Sequence, residues 1–146
     1  MRGDLVRLVV LLVSLVPAGA VSAQTEAPLA VVNAQPSGEI ASREEAAEIR
    51  VRFSEPMVPL GRIPDTVSVP FFSIRPAVAG TFRWAGPTLL IFTPDPKTPL
   101  PRSTRYDVTI AAGATAVSGR RLGRAYMFSF TTPTARLLQT NWYRVN

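Results

Sequence analysis

Apolar and polar residues alternate one for one in four separate runs of this chain, and a period of two marks an extended strand with one buried face. Ile49, Val51 and Phe53 alternate with Arg50, Arg52 and Ser54, and Phe82 and Trp84 with Thr81 and Arg83. Tyr106, Val108 and Ile110 alternate with Arg105, Asp107 and Thr109, and Tyr126, Phe128 and Phe130 with Met127, Ser129 and Thr131. A helix would scatter each of these sets around its circumference, so the pattern commits most of the chain to sheet.

Three further segments extend the series. Leu89-Leu-Ile-Phe92 reads as a short strand buried on both faces, residues 67–74 as a longer strand interrupted at Pro70, and residues 30–34 as a first strand. Pro70 lacks a backbone N–H, which demotes its segment to an edge or a bulge. The turn-forming stretches 35–38, 56–64, 85–87, 94–101 and 117–119 separate successive strands. About seven short strands at such intervals predict an all-β, immunoglobulin-like antiparallel sandwich. Its inward set would be Ile49, Val51, Phe53, Phe82, Trp84, Tyr106, Val108, Ile110, Phe128 and Phe130. Trp84 and Tyr106 invite assignment to a stacking site, but their place in alternating runs puts them in the core. Ser42-Arg-Glu-Glu45 has capping-box spacing, but with room for little more than one helical turn before the strand at Ile49 it reads as a polar connector.

The start of the chain sets its destination. Arg2 and Arg7 precede the apolar run 8–16, Pro17 and Gly19 follow, and Val21-Ser-Ala23 offers the small residues a signal peptidase needs. The run is about half of the ~20 residues a spanning helix requires. Residues 1–23 are therefore expected to be a cleavable signal peptide, with no stable membrane insertion afterwards and a periplasmic or extracellular product. What remains divides into a sandwich at 24–133 and a tail at 134–146, the size of one ordinary domain.

Cysteine and histidine are both absent. There is accordingly no disulfide, no thiol nucleophile and no imidazole base or metal ligand in the chain. Lys97 sits in a proline-rich turn, and Glu44, Glu45 and Glu48 cluster on what reads as a solvated surface. The expectation is a non-enzyme with no catalytic residue, no cofactor and no metal. With the leader gone, fourteen basic residues face nine acidic ones, a net charge of +5. The arginines are spread singly apart from Arg120-Arg121, without the runs or aromatic interleaving of a nucleic-acid binder, so no nucleic acid is expected.

At Val51-Arg-Phe-Ser-Glu-Pro-Met57 the chain resembles bacterial Ig-like domains of the SbsA type and, more closely, the N-terminal region of bacterial alpha-2-macroglobulin-like proteins. The likeness continues in order through Gly80-Thr-Phe-Arg-Trp84, Leu89-Leu-Ile-Phe-Thr-Pro94, Leu100-Pro-Arg-Ser-Thr-Arg-Tyr106, Ser118-Gly-Arg-Arg-Leu122 and Phe128-Ser-Phe-Thr-Thr-Pro133. It implies one bead of a multi-domain protease-trapping protein, although the Cys-x-Glu-Gln thioester motif of such traps cannot be formed here. Glu55, within the first phrase, is expected to pair with an arginine or a backbone amide at a strand end, Arg52 being the neighbour at hand.

The expected role is a non-catalytic structural or interaction module whose partners are neighbouring Ig-like domains or envelope proteins. The alternative is a stand-alone module that binds acidic surface polymers through the outward arginines Arg50, Arg52 and Arg83: gathered in one patch they favour ligand binding, scattered they favour a scaffold role. The tail, with Leu137, Leu138, Trp142 and Tyr143, reads as the end of a truncated or frameshifted gene product, or else as a segment that docks on the sandwich or a partner.

Overall fold

A computed structural model of the chain describes residues 27–61 and 67–134. The expected leader and most of the expected tail lie outside them. Eight strands form among these residues: β1 (Val31–Gln35), β2 (Gly38–Glu39), β3 (Ile49–Phe53), β4 (Phe72–Arg75), β5 (Gly80–Trp84), β6 (Leu89–Pro94), β7 (Arg105–Ile110) and β8 (Tyr126–Thr131). They make two four-stranded sheets, ordered β1-β3-β6-β5 and β2-β8-β7-β4. The first strand of the sequence is shared out, with β1 in one sheet and β2, past Pro36, in the other, where it runs parallel to β8. This is the Ig-like sandwich that the alternation predicts.

The strand β2 departs from the sequence pattern: Gly38 and Glu39 fall where the sequence reads as turn or connector, and they pair with Phe130 and Thr131 from the opposite end of the domain. The segment 67–74 is shorter than expected. Residues 67–69 are not strand, Pro70 and Phe71 turn, and β4 starts at Phe72 as an edge strand beside β7. Proline's missing donor explains the late start. A register shift between Val31 and Asn33 bulges β1, leaving Val32 63% exposed on an otherwise paired strand.

The interior has an upper and a lower part. Val51, Phe53, Trp84, Leu90 and Ile110 centre the upper one, with Leu29 and Leu122 brought in from loops. Ile49, Phe92, Tyr106, Val108 and Phe130 centre the lower one. Phe82 and Phe128, expected inside, are half-buried and pack against both parts. Phe82 bridges the sheets, its ring 4.9 Å from Phe92 and 5.1 Å from Phe72. Trp84 lies in the core against Phe53 rather than on a binding surface. In β6, the central strand between β3 and β5, Leu90, Ile91 and Phe92 are all buried, so both faces are covered as the unbroken apolar run implies.

Gly80 explains one motif position. A β-carbon there would lie 2.5 Å from a ring carbon of Phe92 and 2.5 Å from the Thr93 carbonyl oxygen. Gly80→Ala is expected to destabilise the fold by about 1–3 kcal/mol through overpacking. A urea midpoint indistinguishable from the parent's would count against this account.

Candidate functional site

The three arginines singled out from the sequence stand on one outer face. Arg50 pairs in register with Ile91, and Ile91 with Arg83, so a row runs Arg50–Ile91–Arg83 across β3, β6 and β5. Arg52 lies two residues along β3, opposite Leu89. The face is nevertheless partly neutralised from within. Glu48, just before β3, accepts hydrogen bonds from Arg50 Nε at 3.0 Å and Nη2 at 2.8 Å with one oxygen, and from Arg83 Nη2 at 2.7 Å with the other. Ile91 lies between the two arginines in register and is only 3% exposed. The sequence alone puts Glu48 with Glu44 and Glu45 on a solvated surface. Its partner Arg83 is 35 residues away, which spacing along the chain does not reveal.

Both guanidinium groups hold the Glu48 carboxyl below a free glutamate's 4.5, the Arg83 hydrogen bond most strongly. A lowered folded-state value adds stability above the unfolded pKa, and that stability is lost as pH falls through the folded value. Stability is therefore expected to fall as pH drops below about 4.5, and Glu48→Gln to flatten part of that slope. Urea unfolding across pH 3–6 checks it, and identical slopes in parent and variant would remove Glu48 as a cause. Each pair is half exposed, so its contribution at neutral pH is ~0–1 kcal/mol.

The Ser54-Glu-Pro-Met57 phrase ties the upper end together. Ser54 N–H donates to Ala30 O at 2.9 Å, and its hydroxyl oxygen accepts from Ala30 N–H at 3.0 Å. Pro56 O accepts from Val117 N–H at 2.9 Å, and Met57 N–H donates to Pro87 O at 2.7 Å. Glu55 pairs not with Arg52 but with the β7–β8 loop. Ser118 Oγ donates to it at 2.7 Å and Arg120 Nε lies 2.8 Å away, with the Glu55 side chain only 12% exposed. The Ser118 hydrogen bond, then Arg120, holds this carboxyl below 4.5 as well. The phrase thus joins three loops, a structural task.

At the lower end the outgoing chain is clamped. Thr132 is fully buried; its Oγ1 accepts from Thr104 N–H at 2.9 Å and donates to Pro101 O at 2.7 Å. Pro133 O accepts from Ser103 N–H at 3.2 Å. Beside this exit, where the chain passes from β1 to β2, a pocket of about 840 Å³ opens between Pro36, Ile40, Ala47, Glu44 and Glu48. Its rim is the 3-10 turn Arg43–Ala46, anchored by the Glu45 carboxylate accepting from Ala41 N–H at 3.0 Å and Ser42 N–H at 3.1 Å. The stretch that reads as a polar connector thus contains one 3-10 turn with the capping-box contacts its spacing allows.

Among the described residues no group of three or more Asp, Glu, His or Cys side chains is placed to hold a metal ion, and no helix is long and apolar enough to cross a membrane. Residues 24–132 match the family described as bacterial Ig-like domain. The chain is 30% identical over 102 residues to an alpha-2-macroglobulin homolog of Nostoc sp., covering 68% of this chain and 5% of that protein. Among solved structures it is similar to L,D-transpeptidase 3 of Mycobacterium tuberculosis, with 16% identity, a TM-score of 0.43, and coverage of 71% of this chain and 37% of that one. The split first strand, the two four-stranded sheets and the match over 24–132 agree, and the similarity to a part of an alpha-2-macroglobulin homolog stands beside them: the chain belongs to the bacterial Ig-like domain family.

Proposed function

We propose that this domain is a non-catalytic, exported module that spaces and holds its neighbours, as the first domain or a fragment of a bacterial alpha-2-macroglobulin-like protease-trapping protein. The observation that carries this reading is the placement of the two described ends. Leu29 and Ala30 are held at the upper end by Leu122 and Ser54, whereas Thr132 and Pro133 leave at the lower end between fixed hydrogen bonds. A bead threaded in this way passes the chain straight through, the geometry a series of sandwiches requires. The macroglobulin homolog supports the same reading, although the chain spans only about 5% of its length.

The test is an immunoblot of fractionated source cells with antibody against the sandwich. A band many domains long in the periplasm or medium, shifting to an SDS-stable adduct when protease is added, is the expected result. A single-domain band that never shifts would overturn it.

A second reading, binding of acidic envelope polymers, has one observation in its favour: Arg50, Arg52 and Arg83 share a face. Glu48 already occupies two of the three, which makes this reading the weaker. Salt-sensitive retention on immobilised polyanion, lost in an Arg50→Gln/Arg52→Gln/Arg83→Gln variant, would favour it over the first.

A further inference from the structure

We infer that β5 offers its free edge to a second copy of this chain, joining the β1-β3-β6-β5 sheets of two molecules about a two-fold axis at Phe82. The first ground is how differently the sheet edges are built. Bare edges invite pairing, and proteins blunt them with bulges, prolines, short strands or charge. Strand β1 carries a bulge between Val31 and Asn33, and β2 is only two residues long. Strand β4 is preceded by Pro70 and followed by Pro76, and its Phe72 N–H turns back to Val69 O at 3.1 Å. Strand β5 has five residues with no proline and a regular register, and no described residue pairs with its outer side. Its one charge, Arg83, is already answered by Glu48 at 2.7 Å, so the edge loses the guard an unpaired cation would give it.

The backbone ladder is the second ground. Ala85 N–H donates to Leu89 O at 2.9 Å and Asp95 N–H to Ala79 O at 2.8 Å, bracketing the β5–β6 pairing. Backbone groups alternate in direction along a strand, so those of Thr81 and Arg83 face β6 and those of Gly80, Phe82 and Trp84 face away. Set antiparallel against a copy of itself with Phe82 on the axis, β5 matches Phe82 with Phe82 and Gly80 with Trp84. Each outward N–H then meets an outward carbonyl. Phe82 is half-buried, so meeting a second Phe82 covers apolar surface that one molecule leaves wet. Gly80 has no side chain to crowd the opposing Trp84. On the outer face Thr81 falls opposite Arg83, so like charges are not set directly against each other.

A five-residue edge makes a small interface of the transient class, so association is expected only at high protein concentration. The chain has no cysteine, which makes introduced cysteines unambiguous probes. Residues opposed as Thr81 and Arg83 would be lie about 4.5 Å apart at Cα, within disulfide reach, whereas diagonal neighbours at about 7–8 Å lie outside it. Thr81→Cys mixed with Arg83→Cys is therefore expected to yield several-fold more disulfide-linked dimer than either variant alone. Both positions are exposed, so these changes leave the core untouched. Sedimentation of the parent mature chain should show the mass rising toward twice the monomer's with concentration. Thr81→Arg, which sets like charges opposite each other, should weaken that association about threefold or more. A parent that stays monomeric would overturn the inference. Cross-linking no better in the mixture than in one variant alone would overturn it too, as would association unmoved by Thr81→Arg, since the contact would then lie elsewhere on the molecule.

Discussion

Phe53→Ala is expected to remove about 3–5 kcal/mol of folding stability, the largest loss from any single truncation considered. Phe53 closes β3 at 2% exposure, in the middle of the upper core. Its ring meets Phe71 edge-on at 6.2 Å and Trp84 at 6.2 Å with a 45° tilt. Phe71 sits in the turn before β4 and Trp84 ends β5 of the other sheet, so the two partners are held by separate parts of the backbone and neither can follow the other into the vacancy. The cost therefore combines lost transfer energy with an unfilled cavity, and each lost aromatic pair adds about 0.5–1.5 kcal/mol. Val32→Ala, on the exposed bulge, serves as the control and should stay within about 0.5 kcal/mol of the parent. Urea unfolding of the three proteins measures both, and a Phe53→Ala loss under about 1 kcal/mol would mean the upper core collapses freely around the gap.

The second large effect concerns Thr132, the buried polar side chain at the chain's exit. Thr132→Val keeps the shape and deletes the hydroxyl's hydrogen bonds, leaving Thr104 N–H and Pro101 O without their partner. Stranding buried polar groups costs about 1–3 kcal/mol. Thr132→Ser keeps the hydroxyl and removes one methyl, for about 0.8 kcal/mol. Serine is thus expected to be tolerated better than valine. The reverse order would show that Thr132 acts through packing alone and that the exit is not clamped by hydrogen bonds. Faster hydrogen exchange at the Thr104 amide in the valine variant would report the same loss locally.

These two sites also divide what could be read before folding from what could not. Phe53 was legible because alternation with Arg52 and Ser54 is a property of one extended backbone, and it names the buried face without reference to any partner. The same logic placed Ile49, Val51, Trp84, Tyr106, Val108, Ile110 and Phe130 inside, and all seven are buried. Phe82 and Phe128 carry the same period but end up half-buried, because where each one packs depends on what the opposite sheet offers. Thr132 carries no comparable signal. It follows a strand in a Thr-Thr-Pro sequence, and only the return of residues 101–104 alongside it turns a common polar residue into a buried clamp.

The arginine face divides in the same way. Arg50, Arg52 and Arg83 point outward because their neighbours point inward, and that much the sequence determined by itself. That Glu48 reaches both Arg50 and Arg83, and that Glu55 answers to Ser118 across 63 residues, only the tertiary structure decided. The same holds for β2, two residues that become strand only because β8 arrives beside them. Side-chain direction is set by the local backbone and repeats every two residues. An ion pair or a strand pairing needs two distant segments to meet, and their meeting is a consequence of packing the whole sandwich.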